Sequence, residues 1–176
     1  MRVEDTYEQL ARLSNARLVE IFKQGATPDI KKLLGYEFRG FNTPAFAKLI
    51  GIQKFKKGFY TKDGKPFGYN IPVRQNGLDG PWICKPSDDN PKRFGFYSLN
   101  PPGTSPLSSK EPQALLLNYA DGKNGIFEGA MLRDYVIQPY KDNADLYIGK
   151  AYIEVAGMMV FSSFFIIERH RESAWK

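Results

Sequence analysis

The sequence predicts a mainly β fold, an antiparallel barrel of about eight strands with helices at its N-terminal side. Apolar and polar residues alternate with a period of two over residues 146–155, as they do in a strand with one covered face. Residues 158–167 are largely apolar on both faces, which is typical of a strand enclosed in a closed barrel or covered by a helix. Most strand candidates are joined by hairpin-length connections, and this favours antiparallel pairing.

The N-terminal segment, residues 1–35, predicts two helices that pack on the barrel or plug one of its ends. The first helix begins at Asp5 or Thr6, with Glu8 placed three residues after Asp5 to complete a capping box. The second helix begins at residues 27–29, where threonine, proline and aspartate follow one another in the order expected of a helix start.

Residues 36–176 predict the barrel itself, which forms one structural domain with the N-terminal helices. Strand candidates lie at residues 36–41, 54–61, 68–75, 94–99, 114–119, 129–138, 146–155 and 158–169. A short helix is expected over residues 42–50, between the first two strands. Asp63 and Gly64 form a turn signal that joins the second and third strands in a hairpin. Pro72 lacks a backbone donor and therefore favours an edge position or a bulge in the third strand.

Two loops separate the middle strands. Residues 76–90 are rich in polar residues and glycine, with Trp82 as the expected buried anchor. Residues 100–112 contain four prolines in thirteen residues, and such a segment cannot lie in a sheet interior. We therefore expect residues 100–112 to form a loop at a barrel mouth or a flexible flap.

Composition and charge exclude several classes of protein. One cysteine, Cys84, among 176 residues excludes an internal disulfide framework. The net charge is +6, but the densest basic cluster, residues 54–57, is short and no nucleic-acid-binding motif accompanies it, so no nucleic-acid partner is predicted. The uncharged run at residues 155–167 is too short for a membrane-spanning helix. The N-terminus carries no apolar signal segment, which favours a cytoplasmic location; oligomeric state is left open.

The chain also resembles the bacterial lipocalin-like (calycin) barrels of the GXWXG type, a family of uncharacterised function. Residues 33–60 are similar to their opening unit, in which a short helix joins an aromatic-x-glycine strand to a basic-aromatic strand. Phe38 stands at the tryptophan position and Gly40 at the last glycine, whereas Tyr36 replaces the first glycine. The resemblance implies a carrier of a small apolar molecule without catalytic residues or cofactor. It also implies that Arg169, in the closing strand, lies near Phe38 and closes one end of the barrel.

Polar side chains set among apolar strand neighbours are the candidate ligand-binding residues. They are Tyr69, Arg74, Arg133, Tyr135, Lys150 and Tyr152. Phenols and cations inside an apolar cavity would orient the carboxylate of a fatty-acid-like ligand. We expect Arg133 and Lys150 on neighbouring inward-facing positions, each with an acidic protein partner or an anionic ligand group. Because strand alternation turns half of all residues outward, the alternative is that these side chains face away from the cavity.

The predicted function is the binding of a small apolar or amphipathic ligand in the barrel. One alternative is an enzyme that uses Tyr and Asp or Glu side chains as acid and base on such a ligand. Another is a haem protein with His170, the only histidine, as iron ligand, and a third is an interaction module with a filled core. One histidine and one cysteine cannot build the usual zinc triads, and Cys84 has no adjacent base. A cavity of about 300 Å³ or more would favour ligand binding.

Overall fold

Eight antiparallel strands close into a barrel in the computed structural model, which describes residues 5–43, 51–125 and 129–175. The strands are β1 (Tyr36–Asn42), β2 (Lys54–Lys62), β3 (Lys65–Pro72), β4 (Phe94–Asn100), β5 (Leu115–Asn118), β6 (Leu132–Ile137), β7 (Leu146–Val155) and β8 (Met158–Glu172). Each strand pairs with the next in sequence, and β8 pairs with β1. The predicted fold class, a mainly β antiparallel barrel of eight strands, is therefore confirmed.

Between residues 5 and 35, three helices precede the barrel. They are α1 (Tyr7–Ala11), α2 (Asn15–Gln24) and α3 (Ile30–Leu33). Thr6 caps α1 in a capping box with Gln9, so the predicted pairing of Asp5 with Glu8 is replaced by the next pair along. The Ser14 side chain accepts a hydrogen bond from the backbone of Arg17 and begins α2, which divides the predicted first helix in two. Asp29, rather than the threonine two residues earlier, caps α3.

The helices cover the side of the barrel and one of its ends. Leu10 of α1 and Phe22 of α2 are buried in a cluster with Phe164 and other outward-facing strand residues. Leu33 of α3 belongs instead to the cluster of the barrel interior, together with Phe38. α1 and α2 therefore contact the outer face of the strands, and α3 contacts the cluster of the barrel interior. No helix within residues 5–43, 51–125 and 129–175 is long and apolar enough to cross a membrane.

The strand register assigns each residue to the inner or outer face. Residues directly opposite one another share a face, and Phe38 pairs with Lys57, which in turn pairs with Asn70. On the far side of the barrel Asp134 pairs with Ala151. The inner face carries Phe38, Phe55, Lys57, Phe59, Asn70, Tyr97, Leu117, Asp134, Val136, Tyr147, Ala151, Phe165 and Ile167. Two buried charged residues, Lys57 and Asp134, therefore lie among the inward-facing aromatic and aliphatic side chains of the described strands.

The predicted loops are present with local structure of their own. Trp82 is 8% exposed and its indole N–H donates to the Gly40 carbonyl over 3.4 Å, which confirms its role as a buried anchor. A 3₁₀ helix, Pro106–Lys110, forms within the proline-rich loop. Pro72 is the last residue of β3 and pairs only with β2, because the pairs with β4 end at Asn70 after a register shift. The helix predicted over residues 42–50 lies mostly outside the described residues.

Glycines of one strand lie beneath aromatic rings of the next. The four pairs are Gly40 with Phe55, Gly58 with Tyr69, Gly68 with Tyr97, and Gly149 with Phe165. A Cβ atom added to Gly149 would stand 1.9 Å from the nearest ring atom of Phe165. Each ring therefore occupies the space that a side chain on the neighbouring strand would need.

We expect Gly149→Ala to lower the free energy of unfolding by about 1–3 kcal/mol, because the new methyl group must displace a ring in a closely packed interior. Urea unfolding followed by tryptophan fluorescence measures the change. Gly125→Ala is the matched control, since a Cβ there meets no atom within 4 Å. Equal losses in the two variants would contradict the packing argument.

Candidate ligand-binding site

A cavity of about 150 Å³ lies inside the barrel, towards the end opposite α3. Its walls are formed by Asn42, Ile52, Phe55, Lys57, Asn70, Phe94, Tyr119, Leu132, Asp134, Ala151, Ser163 and Phe165. Ile52 is 44% exposed while it lines the cavity, so the cavity reaches the protein surface at this end. We call this cavity the interior pocket.

Four polar side chains meet in the wall of the interior pocket and form what we call the Lys57 cluster: Lys57, Asn70, Tyr119 and Asp134. The Lys57 ammonium donates to Asp134 Oδ2 over 2.9 Å, to the Tyr119 hydroxyl oxygen over 2.5 Å and to Asn70 Oδ1 over 3.0 Å. The Tyr119 hydroxyl donates to the same Asp134 oxygen over 2.9 Å. Asn70 is fixed in turn by donating to the Gly95 carbonyl. Each of the three ammonium protons therefore has an acceptor within the protein.

Burial controls the charges of the Lys57 cluster. Lys57 is 3% exposed and Asp134 is 4% exposed. Burial lowers the pKa of Lys57, while the charge of Asp134 opposes that change. Burial also raises the pKa of Tyr119 well above its usual value, and the negative charge of Asp134 acts in the same direction. The rings of Tyr97 and Phe165, whose centroids are 4.8 and 5.1 Å from the ammonium nitrogen, replace part of its water shell.

Ser163 contributes a hydroxyl without a partner to the same pocket. It pairs with Ala151 across β7 and β8 and is 2% exposed. Its Oγ has no hydrogen-bond partner among the described residues. A buried polar atom left unpaired costs about 1–3 kcal/mol, so a ligand group that bonds to Ser163 would recover part of that free energy.

Neither the Lys57 cluster nor Ser163 is among the residues predicted to bind a ligand. Lys57 lies in a short basic run, but it also stands two residues from Phe55 and two from Phe59 on one strand face. Asp134 is flanked in the same way by leucine and valine. A charged residue with apolar residues two positions before and two after it lies on a covered face of its strand, which is the inner face at Lys57 and Asp134 but the outer face at Lys150.

The residues predicted as ligand-binding lie elsewhere. They are Tyr69, Arg74, Arg133, Tyr135, Lys150 and Tyr152. Arg133 pairs with Tyr152 across β6 and β7, one position away from the inward-facing Asp134, and Tyr135 pairs with Lys150 in the same way. Alternation therefore turns these four side chains outward, and the inward orientation expected for Arg133 and Lys150 is wrong. A contact with a ligand on the outer face is a separate prediction.

The protein itself supplies the negative charges that Arg133 and Lys150 require. Lys150 donates to the carboxylate of Glu111, which also accepts a hydrogen bond from the Tyr152 hydroxyl over 2.6 Å. Arg133 donates to Glu154 over 2.6 Å. Of the two expected sources of charge, an acidic protein partner is the one found at both residues. The contacts of Glu111 also attach the proline-rich loop to β7.

Tyr69 and Arg74 are separated from these pairs and from each other. Tyr69 lies on the outer face of β3, opposite Gly58, and donates to the buried carboxylate of Glu37 over 3.1 Å. Arg74 is exposed in the segment after β3. The structure therefore brings four of the six predicted residues together, on the outer face of β6 and β7.

Phe38 and Arg169 meet at the end of the barrel covered by α3. They pair across β1 and β8, and the guanidinium carbon lies 5.6 Å from the Phe38 ring centroid. Arg169 also donates to Asp145 over 2.6 Å and to the Lys32 carbonyl over 2.8 Å. These bonds hold α3 across the barrel, so the placement of the two residues agrees with the closing role that the resemblance implies.

His170 lies on the outer face of β8, away from the interior pocket. Although the residue is exposed, partial burial together with the positive charges of Lys56, Arg171 and Arg39 lowers its pKa to about 4. A haem bound inside the barrel would not meet this imidazole. Within the described ranges, no three His, Cys, Asp or Glu side chains are grouped so as to hold a metal ion.

Cys84 is buried in a polar environment outside the barrel. Its sulfur accepts a hydrogen bond from Lys56 over 3.2 Å. Burial raises the pKa of the Cys84 thiol despite this contact, and a hydrogen bond to Asp88 adds to the effect. The thiol is therefore less prone to ionise than an ordinary cysteine.

The closed antiparallel barrel of eight strands is consistent with a calycin-like fold. No protein-family model matches the chain, and no match was found among curated proteins or solved structures. The resemblance to the GXWXG type therefore stays a prediction based on the residues at positions 33–60.

Proposed function

We propose that the barrel binds a small amphipathic molecule in the interior pocket. The apolar part of the ligand packs against Phe55, Leu132 and Phe165, and its polar group bonds to the Lys57 cluster and Ser163. The observation that carries this proposal is that Ser163, whose buried hydroxyl has no partner among the described residues, lines the same cavity as a fully hydrogen-bonded lysine. Apolar walls with a few convergent polar groups are the usual composition of a ligand site.

The volume of the interior pocket limits the size of the ligand. Typical pockets for drug-sized ligands enclose about 300–1,000 Å³, whereas this pocket encloses about 150 Å³. A ligand with a single ring or a short chain is therefore favoured. A fatty-acid-like ligand, as expected from the sequence, would place only one end of its chain in the pocket.

The charges of the pocket favour an uncharged polar group on the ligand. Lys57 and Asp134 form an ion pair of opposite charges inside the barrel, so the pocket carries no net charge from these two residues. A carboxylate placed beside Lys57 would also lie close to Asp134 and would be repelled by it. A hydroxyl or carbonyl group can bond to Ser163 without that cost.

Titration of the ¹⁵N-labelled protein with benzyl alcohol tests the proposal by nuclear magnetic resonance. We expect saturable shifts of the backbone amides of Ala151 and Phe165, and about tenfold weaker binding of benzoate, which corresponds to about 1.4 kcal/mol of charge repulsion. Ser163→Val should weaken the binding of benzyl alcohol, because it removes the free hydroxyl and narrows the pocket. Thr61→Val likewise replaces a hydroxyl-bearing residue by valine, but at an exposed strand position, and it should leave the binding of benzyl alcohol unchanged.

Two results would contradict the proposal. One is an absence of saturable shifts with every neutral probe, which would favour the interaction module with a filled core. The other is equal binding by the wild type and the Ser163→Val variant, which would place the probe outside the interior pocket.

The Lys57 cluster also favours an enzyme as a second candidate. Tyr119 and Asp134 are joined by a hydrogen bond of 2.9 Å, and Lys57 touches both. Groups that share protons in this way can serve as acid and base towards a bound molecule. The acid and base types expected for the enzyme alternative, Tyr and Asp, are thus present in the pocket.

A further inference from the structure

Lys57 is the one lysine among the described residues of the pocket wall, and its amine combines three properties. It lines a cavity that reaches the surface, it is surrounded by aromatic rings, and it touches two groups able to exchange protons. An amine held away from water is a nucleophile once it loses a proton, and buried lysines serve in this way in Schiff-base chemistry. Asp134 can accept that proton, since its Oδ2 atom lies 2.9 Å from the nitrogen.

We propose that Lys57 binds a small aldehyde covalently, as an imine, in the interior pocket. This inference rests on the proposed ligand site and specifies the chemical class of the ligand as a carbonyl compound. The carbonyl group satisfies the preference of the pocket for an uncharged polar group, and the volume of about 150 Å³ restricts the aldehyde to a small one.

The reaction needs no reagent beyond the aldehyde. Transfer of one ammonium proton to Asp134 frees the lone pair of Lys57, which forms a bond to the carbonyl carbon while the carbonyl oxygen takes up a proton from Asp134. The resulting carbinolamine still carries an extra proton on its nitrogen; Asp134 takes this proton and passes it to the hydroxyl group, which leaves as water while the nitrogen forms the double bond to carbon. In sum, one ammonium group and one aldehyde give one protonated imine and one water molecule, and Asp134 ends as the carboxylate beside the positive nitrogen. Tyr119 bonds to both the Lys57 nitrogen and Asp134 Oδ2, and it thereby holds the two reacting groups next to each other.

The same strand contains a control for the role of the pocket. Lys56 is 1% exposed, so it is as buried as Lys57, but it lies on the outer face and contacts Cys84. Lys62, at the end of β2, is exposed to solvent. A reaction that depends on burial alone would modify Lys56, and one that depends on exposure alone would modify Lys62.

The test is reductive trapping of the full chain with benzaldehyde and cyanoborohydride at neutral pH, with the modified residues located by peptide mass spectrometry. We expect a benzyl group on Lys57 at a rate about tenfold or more above that of Lys56 and Lys62, because binding in the pocket raises the local aldehyde concentration. Benzyl alcohol should slow the modification of Lys57 alone. Ser163→Val should do the same, whereas Thr61→Val should not.

Modification confined to exposed lysines, or no modification of Lys57, would overturn the inference. Site mapping in the wild-type protein requires no substitution at Lys57, so the result does not depend on the stability of a variant. If benzyl alcohol binds in the pocket but Lys57 stays unmodified, the covalent step is wrong while the proposed ligand site stands. If neither benzyl alcohol nor benzaldehyde reaches the pocket, both proposals fail.

Discussion

Replacement of Lys57 by methionine is expected to lower the free energy of unfolding by about 3–5 kcal/mol, the usual loss when one partner of a buried ion pair is removed. Asp134, only 4% exposed, would keep its charge without the ammonium group that compensates it. The Tyr119 hydroxyl would remain as the main donor to that carboxylate. Urea unfolding at neutral pH measures the loss.

A double variant and an outer-face control separate the charge effect from loss of packing. Lys57→Met combined with Asp134→Asn should recover most of the stability, because neither residue then carries a charge in the barrel interior. Lys150→Met removes a lysine whose partner Glu111 has a side chain 14% exposed. This variant should lower the free energy of unfolding by less than Lys57→Met does. A double variant no more stable than Lys57→Met alone would show that the ion pair is not the cause.

Phe165→Ala is expected to lower the free energy of unfolding by about 3–5 kcal/mol and to enlarge the interior pocket. The ring is 2% exposed, packs edge-on to Phe55 with centroids 5.8 Å apart, and covers Gly149. Its removal leaves a space continuous with the pocket that it lines. The variant should therefore bind 2-naphthalenemethanol, a probe too large for the wild-type pocket, as measured by nuclear magnetic resonance titration.

Phe161→Ala is the matched control because Phe161 lies on the same strand but is 40% exposed. Its loss should cost clearly less free energy and should leave the preference for benzyl alcohol over the larger alcohol unchanged. A wild-type protein that binds both alcohols equally would contradict the size limit set by the 150 Å³ pocket.

Strand positions could be predicted because their causes are local. The alternation over residues 146–155 and the short run at residues 94–99 correspond to strands found in the structure, Leu146–Val155 and Phe94–Asn100. Turn residues such as Asp63 and Gly64 predict a connection because the conformation of a turn depends on only a few adjacent residues. The break between α1 and α2 was missed because the capping bond of Ser14 competes with an apolar pattern that runs through it.

The candidate site could not be predicted because the pairing between strands, not the sequence of one strand, decides whether a side chain points into or out of the barrel. Within a single strand, the pattern around Arg133 and the pattern around Asp134 are both an ionic residue among apolar ones. The choice between them depends on which strand face the helices cover, and α2 and the proline-rich loop cover the Arg133 side. A further register shift between Ala151 and Tyr152 changes the alternation along the closing hairpin. These relations join residues far apart in sequence.

The bonds from Arg169 to Asp145 and Lys32 hold α3 across one end of the barrel. The interior pocket lies towards the other end, so a ligand would enter it with one end of the molecule first. Among the described residues, the interior pocket reaches the surface at Ile52, so a molecule that enters from this side brings its leading end to Lys57 first. A molecule with its polar group at one tip can present that group and leave its apolar part behind, whereas one with the same group at its middle cannot. The barrel would then distinguish positional isomers of equal size and equal polarity.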